Sequence, residues 1–218
     1  MILSMPEILA ARPPGPPRPP PPPMPNRDAR VLSGGRRAVE TGSGRPARPG
    51  EPREEAAIAV MTTCLWFATQ AEEAAEFYCS VFPDSRVVAV DTSPVDTPGP
   101  KAGDVLTVEF ELDGRPFIAL NGGSDPEYTD AISLEIRCAD QAEIDHYWNG
   151  LLAGGGREVQ CGWLIDRFGV RWQVAPQSLY DLWRGEDREA AARAFAVMMD
   201  MVKLDVAAID AAAAGADA

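Results

Sequence analysis

The sequence lacks the patterns that mark several large classes of protein. Its four cysteines are widely scattered and form no Cys-x-x-Cys pair, which argues against a disulfide framework or a structural zinc site and favours thiols in a reducing cytosol. No apolar run approaches the roughly 20 residues that span a bilayer, and the first residues lack the basic start and apolar segment of a secretory signal. These absences predict a cytoplasmic protein without a membrane partner.

Basic residues and histidine are scarce. The formal net charge is -13, and residues 61–218 hold 11 Lys and Arg against 27 Asp and Glu. Because an acidic body repels phosphate backbones, we expect no nucleic-acid partner. The single histidine, His146, falls in the middle of a predicted helix, and we interpret it as a solvated helix residue.

Signatures of two common enzyme classes are also missing. Methyltransferases usually bind S-adenosylmethionine with a glycine-rich loop between a strand and a helix, whereas Gly154-Gly155-Gly156 follows a predicted helix and is typical of a helix end. The sequence contains no Gly-x-Ser-x-Gly elbow. Cys161 has no evident cationic neighbour, so we interpret it as a buried structural thiol.

Residues 1–60 differ in composition from the rest of the chain. They are rich in Pro, Gly and Arg, with a proline tract near residues 13–23, and offer few large apolar groups to bury. We predict a disordered tail; docking of the tract in an aromatic groove of a partner is the alternative. Foldable sequence begins at Met61, so residues 1–60 also fit an over-extended start of translation. We place one domain at residues 61–208 and a flexible Ala-rich tail at 209–218.

The first half of this domain predicts four strands and one helix. A capping box at Thr69 and Glu72 predicts the helix start, and Asp113-Gly114 predicts a hairpin. The helix covers residues 70–82, and the strands cover residues 62–67, 86–90, 105–112 and 116–120.

The second half repeats this pattern about 70 residues later. A strand at 131–138 precedes a helix that starts near Asp140. The helix has an apolar stripe of Ile144, Tyr147, Trp148, Leu151 and Leu152. The repeat indicates a duplicated βαβββ-like unit. After it, a helix is predicted from about Arg188, and its apolar side packs on the domain or on a partner subunit. This side comprises Ala191, Phe195, Met198, Met199 and Val202.

Residues 161–174 predict two strands joined by a tight turn. Asp166 and Gly169 supply the turn chemistry, because glycine reaches positive φ and aspartate bonds to nearby backbone amides. Gln173 alternates with Trp172 and Val174, so its amide lies on the face opposite these large side chains. A polar amide on a strand flanked by aromatic residues fits the wall of a small-molecule cleft, and an amphipathic strand with one wet face is the alternative.

Five blocks of the sequence resemble the PhnB-like branch of the glyoxalase, or vicinal-oxygen-chelate (VOC), superfamily, many of whose members are labelled 3-demethylubiquinone-9 3-methyltransferase. These blocks are residues 64–67, 72–78, 117–123, 144–148 and 161–173. The resemblance implies an α+β fold of paired βαβββ modules that form a curved sheet around a cleft, with C-terminal helices and a homodimeric assembly.

The resemblance also implies where a ligand would bind. Superfamily enzymes hold a divalent metal with His, Gln or Glu side chains, and those positions fall on Thr63 or Cys64, near Leu120 or Asn121, on Ser133 and on Gln173. Neutral oxygens bind a divalent ion weakly, so the metal site is expected to be degenerate, with Glu135 and Gln173 as its candidate ligands. We expect a small polar or aromatic metabolite in a cleft lined by Thr63, Trp66, Asn121, Ser133, Glu135, Trp163 and Gln173. A metal-dependent lyase or dioxygenase, and a methyltransferase acting on a quinone-like phenol, are the alternatives.

Overall fold

The computed structural model describes residues 61–215, which form an α+β fold of two modules and three C-terminal helices. The predicted properties of residues 1–60 and of residues 216–218 lie outside this range. The first module comprises β1 (Thr63–Phe67), α1 (Ala71–Val81), β2 (Arg86–Thr92), β3 (Val105–Leu112) and β4 (Arg115–Asn121). The second comprises β5 (Leu134–Cys138), α2 (Gln141–Leu152), β6 (Arg157–Glu158), β7 (Trp163–Ile165) and β8 (Arg171–Pro176). The C-terminal helices are α3 (Gln177–Arg184), α4 (Arg188–Met199) and α5 (Val206–Ala214).

The two modules have the same sheet topology, which confirms the duplication. Sheet A has the order β1-β4-β3-β2, and sheet B has the equivalent order β5-β8-β7-β6. In each sheet the first and last strands of the module pair in parallel and the other neighbours are antiparallel. As a result, β1 and β5 are edge strands. Strand β5 begins at Leu134, later than predicted, so Ser133 lies just before it.

Each sheet has one face toward its helix and one open face. On β1, Leu65 and Phe67 are buried, whereas Cys64 and Trp66 are exposed, as expected for alternation along a strand. The buried side chains are in register with Ala119 and Asn121 of β4. We define the open face of sheet A by Cys64, Trp66, Ile118 and Leu120.

The helix starts show one confirmed prediction and one correction. Asp140 precedes α2, and its carboxylate accepts a hydrogen bond from the Glu143 amide at 3.0 Å. The predicted capping box at Thr69 is wrong, because Gln70 is the N-cap of α1 and its side chain does not cap the helix. The Ala71 amide instead donates to the side-chain oxygen of Asn121 at 2.9 Å. A distant residue thus supplies the acceptor that a local residue was expected to provide.

One hydrophobic core joins the two modules. Tyr78 of α1 stacks on Phe110 of its own module and contacts Trp172 of the second, with ring centroids 6.2 and 5.6 Å apart, respectively. His146 of α2 donates from Nε2 to the Val81 carbonyl of α1 at 2.8 Å. His146 is therefore exposed, as predicted, but it also forms a hydrogen bond between the two modules.

The C-terminal helices form a second hydrophobic cluster with sheet B. Leu179, Ala194, Met198 and Leu204 pack with Cys161 and Ala175 in this cluster. The predicted apolar side of α4 packs only partly on the domain, because Phe195 and Val202 are exposed. The prediction that Val202 belongs to this helix is wrong, since the helix ends at Met199. The buried positions include small residues such as Ala190 and Ala194, since α4 packs closely against its neighbours.

The chain remains folded beyond residue 208, where the composition predicts a flexible tail. Residues 209–214 belong to α5, whose start is capped by Asp205 and whose end is capped by Gly215 at φ 76°. Ile209 is fully buried, which anchors this alanine-rich helix. Among the described residues, no helix has the length and apolar character needed to cross a membrane.

Candidate functional site

A groove of about 890 Å³ lies between the two modules. Cavities of roughly 300–1,000 Å³ are typical of small-molecule sites. The edge strands β1 and β5, the β3–β4 hairpin and the end of α1 border this groove. Its lining residues are Met61, Thr63, Phe82, Pro83, Leu112, Asp113, Arg115, Pro116, Phe117, Leu134, Glu135, Ile136, Arg137, Glu143, Tyr147 and Trp172.

Aromatic side chains from both modules form one side of the groove. The Phe82 ring lies 5.1 Å from Tyr147 and 5.5 Å from Trp172, measured between ring centroids. Phe117 contributes a further ring from sheet A. Burial raises the pKa of the Tyr147 hydroxyl, and the nearby carboxylate of Glu143 adds to this effect, so the phenol remains a neutral hydrogen-bond donor. This surface can bind the apolar face of a planar ligand.

Charged side chains border the groove at β5. The Arg137 Nε atom lies 2.5 Å from a Glu135 carboxylate oxygen, and the two side chains form an ion pair. Glu143 accepts a hydrogen bond from the Ala139 amide at 2.7 Å. Arg115 contributes a guanidinium group from the start of β4. The groove therefore combines an aromatic surface with hydrogen-bonding and charged groups.

Four of the seven predicted ligand residues lie along one side of sheet B. Glu135 and Trp163 are both in register with Gln173, so the three side chains form a row across β5, β8 and β7. Gln173 donates from Nε2 to the Ser133 hydroxyl oxygen at 2.7 Å. Trp163 packs against the C-terminal cluster. Only Glu135 of these four residues also lines the groove, which it can do because β5 is an edge strand.

The three predicted ligand-binding residues of sheet A, Thr63, Trp66 and Asn121, do not lie together in one cleft. Thr63 lines the groove, whereas Trp66 is 41% exposed on the open face and donates to the Ser124 carbonyl at 2.9 Å. Asn121 is 7% exposed, accepts from the Ala71 amide and donates to the Val105 carbonyl at 3.0 Å. Thr63 and Trp66 differ by an odd number of positions on one strand, so they point to opposite faces.

The candidate metal ligands do not form a cluster. Within residues 61–215, no group of three or more His, Cys, Asp and Glu side chains is placed to hold a metal ion. Glu135 and Gln173 are neighbours in register, but Glu135 is paired with Arg137 and the Gln173 amide nitrogen bonds Ser133. One carboxylate and one amide do not make the donor set of three or four that a divalent cation requires.

A buried carboxylate that the ligand predictions did not include fixes one side of the groove. Asp166 accepts hydrogen bonds at 2.8 Å from both the Tyr78 hydroxyl and the Trp172 indole nitrogen. Its second oxygen accepts from the amides of Phe168 and Val170 at 2.9 and 3.0 Å. Burial raises the pKa of Asp166, although the four donors oppose that shift. The sequence predicts the bonds to the turn amides, but no local signal identifies Tyr78 as a partner.

Glycines set the position of Trp66. A Cβ atom on Gly122 would lie 1.8 Å from the Trp66 ring, so the indole lies directly against this residue. Gly123, at φ 77°, is packed just as closely against Gly99 of the loop between β2 and β3. The loop between β2 and β3 is therefore held by a close contact between backbones, which larger residues at Gly99 and Gly123 would prevent.

Comparison with known proteins identifies the family of this chain. A family model described as 3-demethylubiquinone-9 3-methyltransferase matches residues 59–175, more than half of the chain. A PhnB protein from Bacillus cereus with that label is 33% identical over 53% of this chain and 98% of its own, with a TM-score of 0.47. The fosfomycin resistance protein FosX from Mesorhizobium loti is 13% identical over 53% of this chain and 89% of its own, with a TM-score of 0.40. No protein with a curated description matches the chain. The extent of the family match shows that the chain belongs to the 3-demethylubiquinone-9 3-methyltransferase family, a PhnB-like branch of the VOC superfamily.

Proposed function

We propose that the protein binds a small molecule with an aromatic body and a polar group in the groove between its two modules. The observation that carries this proposal is the groove of about 890 Å³ that contains Thr63 and Glu135 of the predicted ligand set. Its aromatic rings favour a planar apolar body, and its polar border offers donors and acceptors for orientation. The proposed function is binding through protein groups, with a degenerate metal site.

The four cysteines support a cytoplasmic location for this activity. All four are free thiols in the structure. Burial raises the pKa of Cys138 to about 12, with smaller contributions from Glu143 and Asp140, so this thiol is uncharged and unreactive near neutral pH. Free structural thiols are typical of a reducing compartment.

A panel of ligands tests the binding proposal on the full 218-residue chain. Naphthalene-2-carboxamide and 2-naphthoate represent aromatic ligands, S-adenosylmethionine represents the activity in the family label, and Mn²⁺ represents a divalent metal. We expect the aromatic compounds to raise the melting temperature and to change the fluorescence of Trp172, since Trp172 lines the groove. Stabilisation by Mn²⁺ or S-adenosylmethionine with no response to either aromatic compound would refute the proposal.

A pair of matched variants places the binding site. Thr63→Phe adds a ring inside the groove, whereas Thr107→Phe adds the same group to the open face of sheet A, where Thr107 is in register with Leu120. Overfilling a packed space costs about 1–3 kcal/mol, so Thr63→Phe should weaken binding about tenfold and Thr107→Phe should not. Equal affinities for the two variants would show that ligands bind elsewhere.

We also propose that the open face of sheet A binds a second copy of the chain. Cys64, Trp66, Ile118 and Leu120 form a contiguous, largely apolar surface across β1 and β4, and Trp66 is a large exposed aromatic residue. Sedimentation velocity should show a dimer. Ile118→Glu should convert the dimer to a monomer. Asn149→Glu, at an exposed position of α2, should leave the dimer intact. A wild-type monomer at every concentration tested would remove this part of the proposal.

A further inference from the structure

The C-terminal helices lie beyond the residues that the family model matches. That match ends at residue 175, and α3 begins at Gln177, directly after β8. Leu179 is 1% exposed and anchors α3 in the second hydrophobic cluster. Because α3 follows β8 without a loop, Tyr180, which comes directly after Leu179, has a defined position relative to sheet B.

Tyr180 lies against an ion pair that borders the groove. The Arg137 guanidinium carbon lies 4.2 Å from the centre of the Tyr180 ring, within the range of a cation–π contact. Burial first, and then the nearby Glu135 carboxylate, raises the pKa of the Tyr180 hydroxyl to about 12. Trp183 packs edge-on against the same ring, with the two ring centroids 5.0 Å apart.

The three side chains form a closed cluster. Arg137 is paired with Glu135, Tyr180 contacts the cation with its ring, and the Glu135 carboxylate is close enough to raise the pKa of the Tyr180 hydroxyl. Tyr180 does not line the groove itself, whereas Glu135 and Arg137 do. With its charges mutually compensated, this wall of the groove offers little net attraction to an ionic ligand.

We propose that Tyr180 is a positioning residue that holds Glu135 and Arg137 as a closed pair, so that the groove favours an uncharged aromatic ligand over an aromatic anion of the same shape. This inference rests on the proposed function, because it assigns a ligand class to the same groove. It also assigns a role to the C-terminal helices in ligand selection. Discrimination of this kind is a difference between two affinities and can be measured as their ratio.

Naphthalene-2-carboxamide and 2-naphthoate are a suitable pair of probes, since they have nearly the same shape and differ in charge at neutral pH. We expect the wild-type protein to bind the amide more tightly. Tyr180→Leu releases the Arg137 guanidinium, so the affinity ratio should move toward the naphthoate by about two- to fivefold, the factor that a partly exposed cation–π contact is worth. Tyr180→Phe keeps the ring and should shift the ratio less.

Two further variants test the charge of the pair. Glu135→Gln removes the charge that compensates Arg137 and should move the ratio in the same direction as Tyr180→Leu. Arg86→Gln is the matched control, because Arg86 forms a similar pair with Glu111 at 2.6 Å that does not line the groove. A purely structural role for Tyr180 would weaken both probes equally and leave the ratio unchanged, which would overturn the inference.

A measurement without ligand tests the cluster separately. In the wild-type protein, the Arg137 Nε–H signal should carry a ring-current shift from Tyr180, and Tyr180→Leu should abolish it. Retention of that shift in Tyr180→Leu overturns the positioning role. Failure of the wild-type protein to bind either probe, together with loss of the ring-current shift in the variant, refutes the proposed ligand site and its selectivity while confirming the contact. The two failures are thus distinguishable.

Discussion

Replacement of Asp166 by Asn removes the charge from the carboxylate that joins the two modules. The side chain is 3% exposed, and each of its oxygens accepts two hydrogen bonds. Tyr78 on α1 belongs to the first module, whereas Trp172 on β8 belongs to the second. The substitution keeps the size of the side chain and changes only its hydrogen-bonding capacity.

An asparagine cannot satisfy this environment in either orientation. Its single oxygen can accept from two of the four donors, and its amide group then faces the other two. The Tyr78 hydroxyl can rotate to accept, but the Trp172 indole nitrogen and the two backbone amides only donate. Because a hydrogen bond to a charged group contributes about 1.5–3 kcal/mol, we expect Asp166→Asn to lower the free energy of unfolding by about 3 kcal/mol. For a domain of this size, the melting temperature should fall by about 6–12 °C.

The effect should depend on pH in a defined direction. Burial holds the folded-state pKa of Asp166 above its ordinary value of 3.8. A raised pKa means that this group's titration contributes stability that is fully present below about pH 4 and is lost as pH rises through the folded-state pKa. The difference in unfolding free energy between the wild-type protein and Asp166→Asn should therefore decrease between about pH 4 and the folded-state pKa of Asp166. At higher pH it should remain constant.

Urea unfolding followed by circular dichroism and by tryptophan fluorescence at several pH values would measure both quantities. Asp130→Asn is the control, because Asp130 is an exposed partner of Arg171 and such pairs contribute about 0–1 kcal/mol. Tyr78→Phe should cost about 1.5 kcal/mol, since it removes one donor to the carboxylate. If Asp166→Asn lowered the free energy of unfolding by less than about 1 kcal/mol, the argument that the four donors require two acceptor oxygens would be refuted.

Three further substitutions test other parts of the structure. Gly122→Ala should displace the Trp66 ring, because the new Cβ atom would lie 1.8 Å from it, and the Trp66 indole resonance should shift; an unchanged spectrum would contradict the close contact. Asn121→Ala should lower the unfolding free energy by about 1–2 kcal/mol, since α1 loses its distant cap, whereas Thr69→Ala should have little effect. Ile209→Ala should cost about 2–4 kcal/mol, because the side chain is fully buried, and a neutral result would restore the interpretation of this region as a flexible tail.

Local chemistry explains why the hairpins are the most successful sequence predictions. Asp113 and Gly114 have φ values of 48° and 71°, which a two-residue turn between antiparallel strands requires. The turn that begins at Asp166 is closed by the predicted hydrogen bonds, which the amides of Phe168 and Val170 donate to its carboxylate. In both turns, the residues that determine the conformation are adjacent in sequence, so no tertiary information is needed.

Features that depend on contacts between distant segments are less accessible to sequence reasoning. Asn121 caps a helix 50 positions away, and Tyr78 bonds a carboxylate 88 positions away. The composition of α5 indicates a frayed tail, yet burial of Ile209 stabilises it as a helix. Packing in the folded protein thus outweighs the local signals at Thr69 and beyond residue 208.

The candidate site illustrates how much follows from the period of a β-strand. The predicted cleft contains both Thr63 and Trp66, but these residues are three positions apart on β1 and must face opposite sides. Trp66 is in register with Leu120 on the open face, and Phe67 is in register with Asn121 on the face toward α1. Strand alternation by itself is therefore sufficient to separate Trp66 from Thr63, and the register of β1 with β4 separates Trp66 from Asn121. It does not locate the groove, because that space exists only where the edge strands of two modules meet, and their relative position is set by contacts such as that of Tyr78 with Asp166.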